Sequence, residues 1–341
     1  NKRAGIPCAV IITCLFYGAI SGSAPATVAA VGSMTIPLLI ELGYEKDFST
    51  AIVAVAGGLG VIIPPSIPFI MYAMATGESV SDLFLAGIVP GMMISALLIF
   101  YAYYYCRRHG EDREKIQAKM GQLKAKGFFN ILKESIWALL SPVIVLGCIY
   151  TGVASPTEAA VISVFYSLFV SLFIYRSIKV KQIWGIMVEA MKTYAPILFI
   201  LATSTAFSRV LTLMQVPQDV SAWIMTHFSN EIVLLLVINV VLLIVGMVMD
   251  TTPAILILSP ILLPIVEHVG MNPIHFGVMV IVNLAVGFVT PPVGVNLFVA
   301  SSLTNVPMMQ IAKKAMPMIG YFMLALLLIT FIPAISLCLL S

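Results

Sequence analysis

Charged residues are scarce in this sequence. Only 10% of its 341 residues are Asp, Glu, Lys or Arg, whereas 60% are hydrophobic, and the mean hydropathy is +1.07. Soluble domains carry about 25% charged residues, and a chain this long with so few could not cover a globular surface with groups that water solvates. The composition argues against a soluble enzyme and a disordered protein, and the net charge of +3 is too small for a nucleic-acid partner. We therefore expect an all-α polytopic protein in a lipid bilayer.

Patterns typical of metal or redox chemistry are also missing. The five cysteines show no Cys-x-x-Cys spacing and lie in or beside apolar runs, which favours a packing role. The histidines show no metal-ligand spacing, and we expect solvated, loop-like positions for all of them: His109, His227, His268 and His275. The sequence therefore predicts neither an enzyme nor a transition-metal site.

Apolar runs are long enough to cross a membrane in several places. A transmembrane helix needs about 20 apolar residues. The uninterrupted candidates are 86–106, 135–151, 158–175, 194–213 and 316–338. Other runs end at groups of Pro, Gly, Ser, Thr or Asp: 6–17 before 21–25, 51–63 before 64–65, 231–249 before 250–253, and 276–289 before 290–292.

The interrupted runs belong to an internal repeat. A shift of 227 residues aligns several glycines and prolines without a gap: Gly43 with Gly270, Gly60 with Gly287, Pro64 with Pro291, Pro65 with Pro292, and Pro90 with Pro317. A shift of 228 aligns Gly18 with Gly246 and Pro25 with Pro253. Because Gly and Pro constrain backbone geometry, their alignment indicates a repeated structure. Each half reads as a helical hairpin, a broken helix and a full span, and such paired interruptions are a pointer to a transporter's binding site.

The distribution of basic residues sets the orientation of the two halves. If residues 1–3 are cytoplasmic, three spans separate the halves and the second half is inverted. Every Lys and Arg except Arg209 then lies on the cytoplasmic side, as the positive-inside rule requires. The predicted outer loops carry only acidic charges: Glu78, Asp82, Asp219, Glu231 and Glu267. The sequence thus predicts an inverted repeat with two re-entrant hairpins and two Pro-Pro-broken helices.

These features predict a division of the chain. The expected segments are a first hairpin and broken helix in the transport domain (1–85), a transmembrane helix (86–106), a basic cytoplasmic loop (107–134), three scaffold spans with connecting helices (135–230), a second hairpin and broken helix in the transport domain (231–302), and a final transmembrane helix (303–341). Three spans precede the second hairpin but none precedes the first. We therefore expect this chain to be the C-terminal part of a longer polypeptide.

Five segments resemble the large membrane subunit of tripartite ATP-independent periplasmic (TRAP) transporters. They are residues 21–27 (SGSAPAT), 58–66 (GLGVIIPPS), 85–91 (LAGIVPG), 155–160 (SPTEAA) and 287–294 (GFVTPPVG). The resemblance implies an elevator transporter of the bacterial inner membrane that is driven by sodium and imports an organic acid. It also implies a small membrane subunit, separate or fused, and a periplasmic substrate-binding protein. The overall appearance of the chain is similar to that of the sialic-acid members.

The two Pro-Pro breaks offer oxygen ligands for cations. Pro64 and Pro65 lack N–H groups, so the carbonyls of Gly60 and Val61 lose their helical donors, and the second proline pair releases Gly287 and Phe288 in the same way. Irregular backbone at membrane depth is tolerated only where it is buried or lines a cavity, and free oxygens suit a hard cation. We predict at least two Na⁺ sites. One uses Ser21, Ser23 and the backbone oxygens of Gly60, Ile63 and Pro65; the other uses Asp250, Thr251, Gly287, Thr290 and Pro292. The alternative is a proline kink with hydroxyls bonded back to the helix.

The substrate is expected between the two breaks. Ser66, Thr252 and Asn296 are the polar groups predicted to lie there. The half-helices that follow the breaks point their positive N-terminal ends inward, which suits a carboxylate. For Asn296 an interhelical hydrogen bond is an equal alternative. Glu158, after a Pro-Thr pair, is expected to stabilise a helix start.

Other functional classes fit less well. An intramembrane hydrolase could use Ser21 or Ser23 as a nucleophile, but no His or Lys is placed to activate either serine. A passive channel could contain inverted hairpins, but it would conduct without saturation or sodium dependence. Among transporters, the alternative is a self-sufficient sodium/dicarboxylate carrier that needs no binding protein.

Overall fold

The computed structural model describes residues 4–112, 115–117, 128–216, 219 and 230–340, and every regular element within these ranges is helical. The first helices are α1 (Gly5–Ser21), α2 (Ala24–Glu41), α3 (Lys46–Ala56) with a 3₁₀ turn (Gly57–Val61), α4 (Ile67–Thr76) and α5 (Val80–His109). The next are α6 (Phe128–Tyr150), α7 (Pro156–Phe169) with a π turn (Val170–Ile174), and α8 (Val180–Leu213). The last are α9 (Glu231–Val248), α10 (Thr251–His268), α11 (Pro273–Gly287), α12 (Val295–Thr304), α13 (Met308–Phe331) and α14 (Ala334–Leu337).

Within the described ranges, seven helices are long and apolar enough to cross a membrane. They are α2, α5, α7 with its π turn, α8, α9, α10 and α13. The prediction of an all-α polytopic membrane protein is confirmed. The chain divides into one compact unit of Asn1–Ile116 with Phe207–Ser341 and a second of Gln117–Ala206.

Two predicted spans are shifted in the structure. The run 194–213 is the end of a helix that already begins at Val180, because the side chains of Lys181 and Lys192 are exposed and do not interrupt the helix. The run 316–338 is not continuous, since α13 ends at Phe331. Ile332 has left helical geometry (φ −124°, ψ 86°), as expected for a residue that precedes a proline.

Helices α3 and α11 lie at the centre of the first unit. Residues 48–56 of α3 and 275–287 of α11 are all buried. A helix that is apolar on nearly all sides requires neighbours on every face. Helix α3 packs against α1, α2 and α13, and α11 packs against α9, α10 and α5. Each hairpin also packs against the helix that follows the break of the other half: α2 packs against α12, and α10 packs against α4.

The second unit exposes large apolar side chains and begins α7 with a capping box. Phe165 is 69% exposed and Phe173 66% exposed, as expected for helices whose surfaces face lipid. At the start of α7, the Ser155 hydroxyl accepts from the Glu158 N–H, and the Glu158 carboxylate accepts from the Ser155 N–H at 2.8 Å. The predicted structural role of Glu158 is confirmed.

Candidate functional site

The tip of the first hairpin gathers three oxygen-bearing residues. Helix α1 ends at Ser21 because Gly22 adopts the left-handed conformation (φ 61°), and α2 restarts at once with a proline in its first turn. The Ser21 hydroxyl lies 2.9 Å from the Thr27 hydroxyl. The Thr27 hydroxyl donates to the Ser23 carbonyl at 2.8 Å. The tip therefore presents two hydroxyls and one carbonyl within a single hydrogen-bonded group.

The first break packs directly against this tip. A Cβ added to Gly60 would lie 2.4 Å from the Thr27 hydroxyl oxygen and 2.8 Å from the Ser23 carbonyl oxygen. On the other side of the tip, the Ile67 N–H donates to the Gly22 carbonyl at 3.4 Å. The Pro65 carbonyl oxygen is 3.3 Å from where a Gly22 Cβ would be.

Four of the five residues predicted for the first cation site are thus brought together: Ser21, Ser23, Gly60 and Pro65. Thr27 joins them and was missed by the sequence reasoning. Thr27 could have been identified from its position one helical turn after Ser23, within residues 21–27 (SGSAPAT). The side chain of Ile63 lies toward α5, since it would meet a Cβ on Gly91 at 2.3 Å. The site was predicted to use the backbone oxygen of Ile63, and this stays a prediction.

Three of the four carbonyls predicted to be free have donors. The Gly287 carbonyl accepts from the Thr290 N–H at 3.1 Å. The Val61 carbonyl accepts from the Ser66 hydroxyl at 2.6 Å. The Phe288 carbonyl accepts from the Asn296 N–H at 3.0 Å. The prediction that the carbonyls of Val61, Gly287 and Phe288 are released is therefore wrong, because residues next to each break supply the missing donors.

The second hairpin meets the second break in a similar way. A Cβ on Gly287 would lie 2.3 Å from the Gly246 carbonyl carbon, so the α9 and α11 backbones are in direct contact. The Val293 N–H donates to the Met247 carbonyl at 3.2 Å. These contacts place Gly287, and the segment that holds Pro292, against the end of α9, just before Asp250.

The acidic and hydroxyl groups of the second tip have local partners. The Asp250 carboxylate accepts from the Thr251 N–H at 2.6 Å and from its hydroxyl at 3.3 Å, so Asp250 caps α10. The Thr290 hydroxyl donates to the Val286 carbonyl, one helical turn earlier, at 2.8 Å. This is the bond that the alternative of a proline kink with hydroxyls bonded back to the helix predicts. Asp250 and Pro292 are exposed, whereas Thr251 is buried.

The three predicted substrate residues are all buried. Asn296 is fully buried, and its amide nitrogen donates to the Ala54 carbonyl of α3 at 3.1 Å. The interhelical hydrogen bond that the sequence offered as an alternative role for Asn296 is therefore present. The Oδ1 atom of Asn296 has no partner among the described residues. Ser66 begins α4 and Thr252 lies in the first turn of α10, and these two helices pack together.

The prediction of solvated histidines is wrong for His275. This side chain is fully buried, and its Nε2 is 3.4 Å from the Thr330 carbonyl oxygen. The reason is the Asn272 cap, whose side-chain oxygen accepts from the Ile274 N–H at 2.8 Å and starts the helix before the histidine. His109 and His268 are exposed as expected, and His227 lies outside the described residues.

Comparison with known proteins gives a consistent result over nearly the whole chain. Residues 1–335 match the family described as the DctM component of the tripartite ATP-independent periplasmic transporter. The isethionate TRAP transporter permease protein DctMQ of Oleidesulfovibrio alaskensis is 45% identical over 331 residues, which are 97% of this chain and 51% of that relative.

Two further relatives are large permease proteins. The C4-dicarboxylate TRAP transporter large permease protein DctM of Pseudomonas aeruginosa is 40% identical over 99% of this chain and 78% of its own length. The 2,3-diketo-L-gulonate TRAP transporter large permease protein YiaN of Escherichia coli is 34% identical over 98% and 77%. The chain thus spans about half the length of the isethionate relative and over three quarters of the other two.

Proposed function

Because the chain belongs to the DctM family of tripartite ATP-independent periplasmic transporters, we propose that it is the large membrane subunit of a sodium-coupled importer of an organic anion. The predicted resemblance to this family is confirmed, and so is a multi-pass protein of the inner membrane. One observation carries the proposal of sodium coupling. Each broken helix meets a polar hairpin tip through a glycine–glycine backbone contact, in the interior of one compact unit.

The contacts of the first unit support an inverted repeat. Gly18 contacts Gly60 in the first half, and Gly246 contacts Gly287 in the second, and these are the glycines that the sequence shift aligns. Helix pairs also correspond, since α2 packs on α12 as α10 packs on α4, and α3 packs on α13 as α11 packs on α5. Two halves with opposite orientation would bring the two breaks together near the middle of the membrane.

Each break supplies oxygen ligands that suit a hard cation. The proposed first site comprises the Ser21 and Thr27 hydroxyls with the carbonyls of Ser23, Gly60, Ile63 and Pro65. The second comprises Asp250, Thr251, Gly287, Thr290 and Pro292. Neutral hydroxyl and carbonyl oxygens with a single carboxylate match the oxygen preference of Na⁺ better than that of a transition metal.

The substrate is proposed to be a small carboxylate or a similar organic anion. The names of three relatives refer to isethionate, C4-dicarboxylates and 2,3-diketo-L-gulonate. None of these three names mentions sialic acid, so sialic acid is to be tested beside the acids that the names do mention. Asn296 Oδ1, buried and without a described partner, is available to accept a hydrogen bond from a hydroxyl of the substrate.

The proposed transport cycle is an elevator with external delivery of the substrate. Both proposed cation sites lie in the unit formed by Asn1–Ile116 and Phe207–Ser341. The hairpins and the breaks of this unit pack against one another, so we expect them to move as one body. A small membrane subunit and a periplasmic substrate-binding protein are the proposed partners, as the resemblance implies.

Uptake into proteoliposomes tests this function. The full-length protein, with its small subunit, is reconstituted and given a panel of radiolabelled acids: isethionate, succinate, 2,3-diketo-L-gulonate and sialic acid. We expect uptake of one of them only with an inward sodium gradient and the cognate binding protein. Uptake without the binding protein would favour the self-sufficient dicarboxylate carrier, and current without saturation would favour a channel.

The first cation site is tested by the Thr27 hydroxyl. Thr27→Val keeps the shape of the side chain but removes the oxygen that contacts both Ser21 and Ser23. We expect about a tenfold loss of apparent sodium affinity, which corresponds to about 1.4 kcal/mol. The measurement is the sodium dependence of initial uptake rates.

Thr35→Val is the matched control for Thr27→Val. Thr35 lies two turns further along α2, and among the described residues its hydroxyl bonds back to the Val31 carbonyl alone, at 2.7 Å. Ser23→Ala should also have a small effect, because the carbonyl of residue 23 faces the site and remains. Equal sodium dependence in the Thr27 and Thr35 variants would remove Thr27 from the site.

A further inference from the structure

A buried polar cluster in the second half lies outside the proposed sites. Asn239 of α9 and Asn283 of α11 are linked by the Asn283 amide, which donates to the Asn239 side-chain oxygen at 2.7 Å. The Asn239 amide in turn donates to the Thr330 hydroxyl of α13 at 3.3 Å. The carbonyl of Thr330 lies 3.4 Å from His275 Nε2. The four residues thus form one continuous hydrogen-bonded chain across three helices.

In the first half, apolar side chains replace three of these four polar residues. The counterpart of Asn239 is Ile11 under the shift of 228 residues, and those of His275 and Asn283 are Phe48 and Ala56 under the shift of 227; all three are fully buried. The packing of these helices therefore does not require the polar groups. Burying polar groups costs free energy unless they are paired, and this cluster leaves His275 Nδ1 and Asn283 Oδ1 without partners among the described residues.

A cavity of about 300 Å³ opens beside His275. Its polar lining comes from Glu231, Asn272, His275 and Thr330. Because a carbonyl can only accept, His275 Nε2 must carry the hydrogen that it donates to Thr330, so Nδ1 of the neutral ring holds a free lone pair. The cavity contains space for water, and Glu231 adds a carboxylate to its wall.

We propose that His275 is a proton-binding site of this transporter and that its protonation slows uptake. The inference rests on the proposed transport function and on the predicted orientation, which places this end of α11 on the outer side. The described titratable groups of the neighbouring segments are Glu231 of α9, Glu267 and His268 of α10, Tyr72 of α4, Glu78, Asp82 of α5 and Cys338. Of these, Glu231 lines the same cavity as His275, so its carboxylate is the group placed to stabilise an imidazolium.

The hydrogen-bonded chain connects His275 with the contact between α9 and α11 beside the proposed second cation site. Asn239 lies two turns before Gly246, and Asn283 lies one turn before Gly287, so their bond joins α9 and α11 next to the glycine contact. A charged imidazolium needs water or a carboxylate at Nδ1, which opens the cavity and loosens this helix pair. We therefore expect acid on the outer side to lower the apparent affinity for sodium.

The test varies the external pH between 5.5 and 8 while the internal pH and the sodium gradient are fixed. We expect the full-length protein to lose at least about fivefold in uptake at pH 5.5 relative to pH 7.5, the lower end of usual coupling between sites. His275→Gln, which can still donate to Thr330, should have a flat profile. His268→Gln is the matched control, since this exposed histidine lies near the same cavity and should keep the parental profile.

A second measurement is independent of transport. In protein labelled with ¹⁵N-histidine, the signal that is absent from His275→Gln should shift with a midpoint between pH 5.5 and 8. A parental uptake profile in His275→Gln, or a His275 signal that does not move in this range, would overturn the proton site. Absence of sodium-dependent uptake at every pH would instead contradict the proposed function, and the spectroscopic titration would still decide the proton site.

Discussion

Gly287→Ala is expected to abolish uptake and to destabilise the protein by about 3 kcal/mol, the upper end of overpacking costs. The new Cβ would lie 2.3 Å from the Gly246 carbonyl carbon and 2.6 Å from its Cα. These are backbone atoms, so no side-chain rotation relieves the clash and α9 must move away from α11. The second break would then lose its contact with the hairpin tip. Thermal unfolding in detergent and sodium-driven uptake measure the two effects.

Gly320→Ala provides the matched control for this steric effect. Gly320 lies within α13, and no described atom is within 4 Å of where its Cβ would be. Because alanine is the better helix former by about 1 kcal/mol, this variant should be as stable as the parent or more stable. If both variants unfold and transport alike, the close contact of α9 with α11 does not exist in the native protein.

Asp250→Asn should lower the apparent sodium affinity by tenfold or more while the protein stays folded. Asparagine caps helices as well as aspartate does, so the start of α10 is kept while the negative charge is lost. Asp250 is the only carboxylate in the two proposed cation sites, and its charge stabilises a bound cation at short range. The experiment measures uptake against sodium concentration, with the substrate at saturation.

The control for the lost charge is Asp82→Asn at the start of α5. This residue carries the same charge and lies in the first turn of its helix, but it belongs to neither proposed site. Unchanged sodium affinity in Asp250→Asn, or the same loss in Asp82→Asn, would show that Asp250 does not bind the ion.

The sequence predicted the positions of the breaks because proline and glycine act locally. Pro64-Pro65 and Pro291-Pro292 lack N–H groups wherever the chain places them, so the helices must be interrupted there. The aligned glycines marked backbone contacts that the structure contains, Gly18 with Gly60 and Gly246 with Gly287. The predicted grouping of Ser21, Ser23, Gly60 and Pro65 followed from these same local features.

Other parts of the site depend on contacts that a single sequence does not display. The donors that satisfy Val61 and Phe288 come from residues beyond the breaks, and their direction depends on how the chain folds back. His275 looked like a loop residue, but its burial depends on helices that are distant in sequence. Asn239 and Asn283 are single polar residues in apolar runs, and only the packing of α9 on α11 reveals that they are partners.

The burial of residues 48–56 of α3 has a consequence for biosynthesis. This helix of 11 residues is too short to cross a bilayer, and it is covered partly by α13, which begins at Met308. Roughly 250 residues separate the two helices, and a ribosome adding about 5–20 residues per second needs on the order of 10–50 s to make them. During that interval the membrane insertion machinery, or lipid, must shelter the face of α3 that is later covered by α13, although α1 and α2 have already been synthesised. A chain whose synthesis stops before Met308 lacks α13, so α3 stays partly uncovered. We expect such a chain to be a substrate for membrane proteases.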